Sequence, residues 1–392
     1  MKVLSVFNHY LERGGEARAV ASINDSLDKV ADVAACEFAS ADWIGRGAPP
    51  RWQQALRMIR NPASVRKLRD LQQSAAADLW LVHNVFPVGS GAVYSEAKRL
   101  QVPVVQYLHN FRPFSVNGYL WAGRQIAPQG LRKNYWPEIR AGSWQNSRVR
   151  TAWFAFVLRW GHALGWWRGV KAWIAVSNFM RERFIEAGVP AQDIFALRHF
   201  WRARGEFSPG AGQHYLFLGR LTEEKGVGAL LAAWALLEKK KRGAGPRLVI
   251  AGDGPLRGVV SAAAEQMPSV TYAGELDGAA KEEALREARA VIVPSLWWEG
   301  LGLVAYEAYD HGRPVLAARS GGLTEIVSDG ETGRLHDPGD VEQLAAQVEE
   351  MEQNRTLRAE MGSAGRRWLL AHADEAVWQR RFLEIAAHAR GR

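Results

Sequence analysis

Cysteine is almost missing from this chain: Cys36 is the single one in 392 residues. No intramolecular disulfide and no cysteine-rich zinc site can form, so a reducing cytoplasm is the expected compartment. No uncharged apolar run approaches the roughly 18 residues of a membrane span, which excludes a membrane-spanning helix and leaves binding at a membrane surface open. The opening apolar run, Val3 to Phe7, is shorter than a signal-peptide core and is soon followed by Glu12 and Arg13. It predicts a first strand rather than an export signal. There is no Walker A loop, no dinucleotide fingerprint in the glycine loops, no HExxH and no Ser-His-Asp signature. Those absences count against an NTPase, a dehydrogenase and a metalloprotease. No aspartate pair has metal-ligand spacing, so no metal and no cofactor are expected.

Acidic residues are scarce in one region. Residues 51–180 hold 18 Lys and Arg against 4 Asp and Glu, with many of the 17 tryptophans, although the whole chain carries only +9. Residues 1–200 are net +12 and residues 201–392 net −3. A field of that kind attracts polyanions: nucleic acid, anionic lipid headgroups or phosphorylated substrates. Two segments concentrate it: Arg51 to Leu71, and Arg148 to Lys171 with Trp153, Phe154, Phe156, Trp160, Trp166 and Trp167. Basic residues beside Trp and Phe at helical spacing suit an anionic membrane surface; packing in a core is the competing reading.

Short apolar runs alternate with longer segments of helical period. Lys2 to Phe7, Leu79 to His83, Val102 to Leu108 and Ala172 to Val176 read as strands in the first half. Tyr215 to Leu218, Arg247 to Ala251, Val270 to Ala273, Ala290 to Val293 and Pro314 to Ala317 do so in the second. The segment Gly228 to Lys240, with Leu230, Leu231, Trp234 and Leu237 on one face, predicts a helix. The pattern implies an α/β chain of two doubly wound units, residues 1–200 and 214–373, with a cleft between them and a linker at 201–213. A terminal helix in 374–392 could pack on either unit.

The sharpest constellation is Pro294 to Ala308. It leaves a strand, passes Glu299, Gly300, Leu301 and Gly302, and enters a helix at Leu303. N–H groups at Gly300 to Leu303 would stand at a helix N-terminus, where a diphosphate can accept their hydrogen bonds. Glu299 and Glu307 would bracket that anion, facing hydroxyl-bearing groups on either side. Gly219 to Gly226 places Arg220 and Lys225 at a strand end, where a guanidinium fork and an ammonium can hold phosphate oxygens. Two glycine loops, Gly14-Gly15 and Gly252-Asp253-Gly254, follow strands and are also explained by tight turns. His109 and Asn110 end another strand and should face the cleft, with His109 a candidate catalytic residue and a structural hydrogen-bonding role the competing reading.

Taken in order, these elements resemble a glycosyltransferase of family 4, the retaining group with the GT-B fold. The likeness runs from Met1 to about Ala371, and Glu299 to Glu307 is similar to the family's E-x7-E signature. It implies that Glu299 contacts the donor sugar, Glu307 the ribose, and Arg220 and Lys225 the leaving diphosphate. It further implies that Gly15 approaches the phosphate or sugar from the first domain and that Leu276, after Gly274, meets the nucleobase. Leu108 to Arg112, with His109, Asn110 and Arg112, resembles the acceptor side, as does Ile174 to Asn178. Two positions depart from the family: Arg198-His199-Phe200 stands where an asparagine is frequent, and Leu301 where a bulky aromatic is.

The expected activity is therefore metal-independent, retaining transfer of a sugar from a UDP- or GDP-sugar to a hydroxyl acceptor, such as a lipid-linked or polysaccharide precursor. The expected location is cytoplasmic and peripheral to the membrane, with no nucleic-acid partner. Rival readings are a GT-B epimerase or phosphorylase, and a non-catalytic membrane-binding protein on the same scaffold.

Overall fold

A computed structural model describes residues 1–11, 15–204, 212–241 and 245–391. Gly14, and most of the segment expected to link the domains, lie outside the described residues. The chain divides into two compact units: residues 1–123, 127–199 and 375–392 form the first, and 124–126 with 200–374 the second.

The first unit is built on a parallel sheet of six strands: β1 (Lys2–His9), β2 (Asp32–Ala39), β3 (Leu79–Val82), β4 (Val104–Leu108), β5 (Val170–Ala175) and β6 (Ile194–Ala196), in the order β2-β1-β3-β4-β5-β6. Its central strands are buried on both faces, as continuous apolar runs such as Leu79-Trp80-Leu81-Val82 require. Helices α1 (Gly15–Leu27), α2 (Arg51–Ile59), α3 (Pro62–Ala75), α4 (Ala92–Arg99), α5 (Trp136–Ala141), α6 (Arg148–Leu164) and α7 (Asn178–Glu186) connect them. Ser177, in the family-like run Ile174 to Asn178, caps α7 by accepting from the Met180 N–H at 3.2 Å.

The second unit repeats the plan with β7 (His214–Leu218), β8 (Leu248–Ala251), β9 (Val270–Gly274), β10 (Ala288–Val293), β11 (Val315–Ala318) and β12 (Gly333–His336), in the order β9-β8-β7-β10-β11-β12. Its helices are α8 (Val227–Lys240), α9 (Arg257–Gln266), α10 (Gly278–Arg286), α11 (Leu303–Asp310), α12 (Val341–Gln353) and α13 (Arg355–His372). Leu230, Leu231, Trp234 and Leu237 of α8 are all buried in the core of this unit. The last helix, α14 (Glu375–Arg390), belongs to the first unit. There Lys29 pairs with Glu375 at 2.8 Å, and Gln379 donates to the Ser26 carbonyl, also at 2.8 Å.

The structure departs from the sequence reading where polarity hides a strand. β2 carries Asp32 and Glu37, β6 is three residues long, and β12 reads Gly-Arg-Leu-His. All three lie at or beside sheet edges, where solvent faces tolerate polar residues and the apolar signal fades. The basic segment Arg51 to Leu71 forms two helices. Asn61 accepts from the Ala63 N–H at 3.2 Å and Pro62 opens α3, so the chain restarts there.

Candidate functional site

The strand order of the second unit reverses between β7 and β10. Ligands of open parallel sheets bind at such a switch point, beyond the carboxyl ends of the strands. The loop after β7 carries Gly219, Arg220 and Lys225; the loop after β10 carries Glu299 to Gly302. They are stitched together: the Leu296 N–H donates to the Glu224 carbonyl at 2.9 Å. Gly226, with φ +75°, lies so near Pro294 that a Cβ there would stand 1.9 Å from its carbonyl oxygen. Only glycine allows that approach.

Three donors converge on one oxygen of Glu299. Lys225 Nζ is 2.7 Å from its Oε1, Ser295 Oγ 2.6 Å and Trp297 Nε1 3.0 Å. Burial alone would push the Glu299 carboxyl up, but the Lys225 ammonium and these hydrogen bonds outweigh it and hold it below the usual carboxylate range. Lys225 also sits 5.0 Å over the Trp297 ring. Arg220 reaches Glu224 at 3.0 Å. The two cations read from the sequence as phosphate ligands are thus each held by a carboxylate, and Glu299 is buried rather than solvated.

Gly302, with φ +92°, caps α11; the Ala305 N–H donates to the Gly302 carbonyl at 2.9 Å, which leaves the N–H groups of Leu303 and Val304 without intrahelical acceptors. Leu301 has its side chain buried and Gly300 is buried beside it, so this turn can offer a ligand main chain alone. Glu307, inside α11, bonds Lys281 of α10 at 2.5 Å. Lys281 was not singled out in the sequence; one lysine in an Ala-Ala-Lys-Glu-Glu helix gives no signal of its partner.

The glycines of the second loop have a packing role. A Cβ on Gly252 would lie 1.8 Å from the Gly219 carbonyl oxygen, and one on Gly254 2.6 Å from that of Leu221. The Gly252 N–H donates to the Gly274 carbonyl at 2.7 Å. These glycines therefore lock the strand-end loops to one another. Gly274 has φ +69°, and Leu276 beyond it is half-buried ahead of α10.

The first unit has its own cluster, which joins His109, Asn110 and Arg112 of the family-like run to Glu16 and His83, which carried no motif. A cavity at the ends of β3 and β4 is lined by Glu16, His83, His109, Asn110, Arg112 and Trp167, among others. Asn110 donates to Glu16 Oε2 at 2.9 Å and accepts from the Arg112 N–H at 2.9 Å. Burial raises the Glu16 carboxyl to about 7, against the pull of Arg112 and Asn110. His83 Nδ1 lies 2.9 Å from His109 Nε2, and the rings of Tyr107, His109 and His199 stack. Burial and neighbouring imidazoles push His109 well below the ordinary histidine value. The strand-end histidine is thus a neutral imidazole in a stack. Gly15 opens α1, exposed, with open space around its Cα.

Among the described residues no group of three or more His, Cys, Asp and Glu could hold a metal ion, and no helix is long and apolar enough to cross a membrane.

Comparison with known proteins fits this geometry. Residues 8–199 match the family described as Glycosyltransferase Family 4, and residues 204–368 match Glycosyl transferases group 1. The chain belongs to glycosyltransferase family 4. It is 33% identical over 205 residues to D-inositol 3-phosphate glycosyltransferase of Arthrobacter sp. (strain FB24), covering 50% of this chain and 47% of that protein. It is 32% identical over 239 residues to the GDP-mannose-dependent alpha-(1-6)-phosphatidylinositol monomannoside mannosyltransferase of Mycolicibacterium smegmatis, covering 55% of this chain and 61% of that protein. The chain thus spans about half to three-fifths of these curated relatives. Among solved structures, Anabaena Alr3699/HepE in complex with UDP-glucose superposes with a TM-score of 0.68 at 17% identity over 99% of both chains. Sucrose-phosphate synthase from Thermosynechococcus elongatus gives 0.70 at 18% over 98% of both. The fold is GT-B.

Proposed function

We propose that this protein transfers a sugar from a nucleoside diphosphate sugar, UDP- or GDP-linked, to a hydroxyl of an acceptor, with retention of anomeric configuration and without a metal. The observation that carries the reading is the Lys225–Glu299 pair at the β7/β10 switch point, with Arg220 on the same loop. Cleaving a glycosyl–phosphate bond leaves negative charge on the diphosphate and positive charge on the sugar. Arg220, Lys225 and the N–H groups opening α11 would receive the first charge, worth several kcal/mol in a site whose donors are already in place. Glu299, with Oε1 saturated by its three donors, would offer Oε2 to sugar hydroxyls. Glu307 would hold the ribose and Leu276 the base through its main chain.

A retaining glycosidase places two carboxylates on either side of the bond. Here Glu299 is committed to Lys225, which favours front-face substitution with the diphosphate helping to deprotonate the acceptor. On the acceptor side, Glu16, Asn110 and Arg112 form a polar cradle suited to a polyhydroxylated ring. The relative named for phosphatidylinositol monomannoside supports an acceptor of glycolipid type, and with it a cytoplasmic, membrane-peripheral place of work; the one named for D-inositol 3-phosphate supports a polyhydroxylated ring. The test is a panel of UDP-, GDP- and ADP-sugars without acceptor, scored by slow donor hydrolysis and thermal stabilisation. One base should stand out; no response to any donor would overturn the reading. Product analysis separates transfer from epimerisation, which would yield a new sugar without an acceptor.

A further inference from the structure

Helix α6 is apolar on two sides. Thr151, Phe154, Ala155, Val157, Leu158 and Gly161 face the core of the first unit. The opposite stripe is apolar too: Val149 is 80% exposed, Phe156 and Trp160 each 45%, and Leu164 57%. These residues recur at intervals of four to seven, one face of a helix. A surface helix normally turns polar residues outward, so a solvent-facing apolar stripe marks a contact surface. Trp153 extends the stripe, with ring centroids 5.3 Å from Phe156, which lies 5.9 Å from Trp160. The Trp153 Nε1–H donates to the Ala55 carbonyl at 3.1 Å and so fastens α6 to α2. There Trp52, 65% exposed, and Leu56, 54% exposed, continue the apolar surface one turn apart.

The charge on these two helices has one sign. Neither α2 nor α6 contains an acidic residue, while Arg51 and Arg57 lie on α2, Arg60 at its end, and Arg148, Arg150 and Arg159 on α6. None of the six forms an ion pair among the described residues; Arg57 and Arg150 reach Gln53 and Gln145, and Arg148 Nε donates to the Arg140 carbonyl at 2.9 Å. The structure also corrects the wider sequence expectation. Phe154, Trp166 and Trp167 are core residues. On α3, Arg69 is bound to Glu96 at 2.6 Å and Lys67 to the Glu37 carbonyl at 2.6 Å, so those cations are engaged elsewhere.

We propose that the α2–α6 face is a docking surface for anionic lipid bilayer, with α6 lying flat in the headgroup region. Phe156, Trp160, Leu164, Trp52 and Leu56 would enter the acyl boundary while the arginines meet phosphate. From Val149 to Leu164 the stripe is about 22 Å long at 1.5 Å per residue, which suits a helix lying in the interface and falls short of spanning it. Indole rings have an apolar body and a polar edge and settle at that boundary. Arginines on two helices that hold no carboxylate of their own complement an anionic lipid surface; each arginine there adds roughly fivefold to partitioning. The proposal deepens the glycolipid-acceptor reading but is tested without donor or acceptor, so donor hydrolysis can fail while vesicle binding succeeds, and the reverse.

The experiment is co-sedimentation of the full chain with vesicles of phosphatidylcholine alone and with one-third phosphatidylglycerol, at about 50 mM and 500 mM salt. Binding is expected to need the anionic lipid and to fall more than tenfold at the higher salt. Phe156→Ser with Trp160→Ser should cut binding at least tenfold, and Arg148→Glu with Arg159→Glu as much. Val259→Ser, an exposed apolar position on α9, should change nothing. All substituted sites are exposed, and melting curves check that the variants fold. Absence of binding to anionic vesicles at low salt overturns the proposal. So does binding that survives both double substitutions, or a dimer in sedimentation velocity that the Trp160 variant abolishes while vesicles bind no protein.

Discussion

His83 Nδ1 and His109 Nε2 stand 2.9 Å apart at the ends of neighbouring strands, so one ring nitrogen carries a hydrogen and the other does not. Among the described residues His83 Nε2 is buried without a partner. A buried orphan donor is rarer than an under-satisfied acceptor. The proton of His83 should therefore sit on Nδ1 and point at His109 Nε2, which leaves His109 with its own proton on Nδ1. His109 would then meet a ligand as a hydrogen-bond donor rather than as a base. Long-range nitrogen–proton correlation spectra at pH 7 report the tautomers directly; a proton on His109 Nε2 would contradict the assignment.

The same cluster predicts a response to acid. Burial lowers His83 to about 3 and His199 to about 4, with His109 also well below its ordinary value. Below pH 6.5 the unfolded chain takes up protons that the folded unit refuses, so each histidine removes up to about 1.4 kcal/mol per pH unit. Glu16, raised to about 7, acts the other way: the folded unit gains protons first, and stability rises on acidification from pH 7 to about 4.5. Three groups of the cluster oppose one, and His162 of the same unit, lowered to about 4 by burial, adds to them, so stability of the first unit should fall between pH 6.5 and 5. Glu16→Gln should steepen the fall. Hydrogen exchange of the Val104–Leu108 amides reads it; a flat profile would show that the histidines are solvated.

Turnover should depend on the paired cations. Arg220→Ala or Lys225→Ala is expected to lower kcat by about 10² to 10³, the loss typical of one donor to a developing anion. Lys225→Ala also strands the Glu299 carboxylate, at a cost of about 3 to 5 kcal/mol in stability. Lys225→Met with Glu299→Gln should restore the stability and leave turnover low. Near-normal kcat in both single variants would remove the two residues from the mechanism.

At Glu307 the effect should fall on binding. A ribose contact is the same in ground and transition states, so Glu307→Ala should raise the donor KM and leave kcat nearly unchanged. Lys281→Ala should do the same more weakly, because Lys281 holds the Glu307 carboxylate at 2.5 Å. Initial-rate kinetics in excess chelator should give the same constants; full loss of activity restored by magnesium or manganese would overturn the metal-free reading.

Two glycines two residues apart should respond with opposite sign. Gly226→Ala forces a Cβ against the Pro294 carbonyl at φ +75°, and is expected to cost more than about 2 kcal/mol. Gly228, exposed in the first turn of α8, has nothing within 4 Å, and alanine there should add about 0.5 to 1 kcal/mol. Denaturant unfolding distinguishes them.

What the sequence determined by itself was local chemistry. The alternation of strand and helix follows from apolar runs whose period survives in one dimension, and the loop from Pro294 to Gly302 with its flanking carboxylates is contiguous. So are the strand-end positions of Arg220, Lys225 and His109. Tertiary structure decided everything that depends on a partner distant in sequence. It paired Lys225 with Glu299 across 74 residues, gave Glu307 to Lys281, and gathered Glu16, His83, His109 and His199 from four separate stretches. It also divided the tryptophan-rich helix into a buried and an exposed side, turning Phe154 inward and Phe156 outward. Composition cannot make that choice, because both sides of α6 are apolar; it is made by which side the neighbouring elements cover.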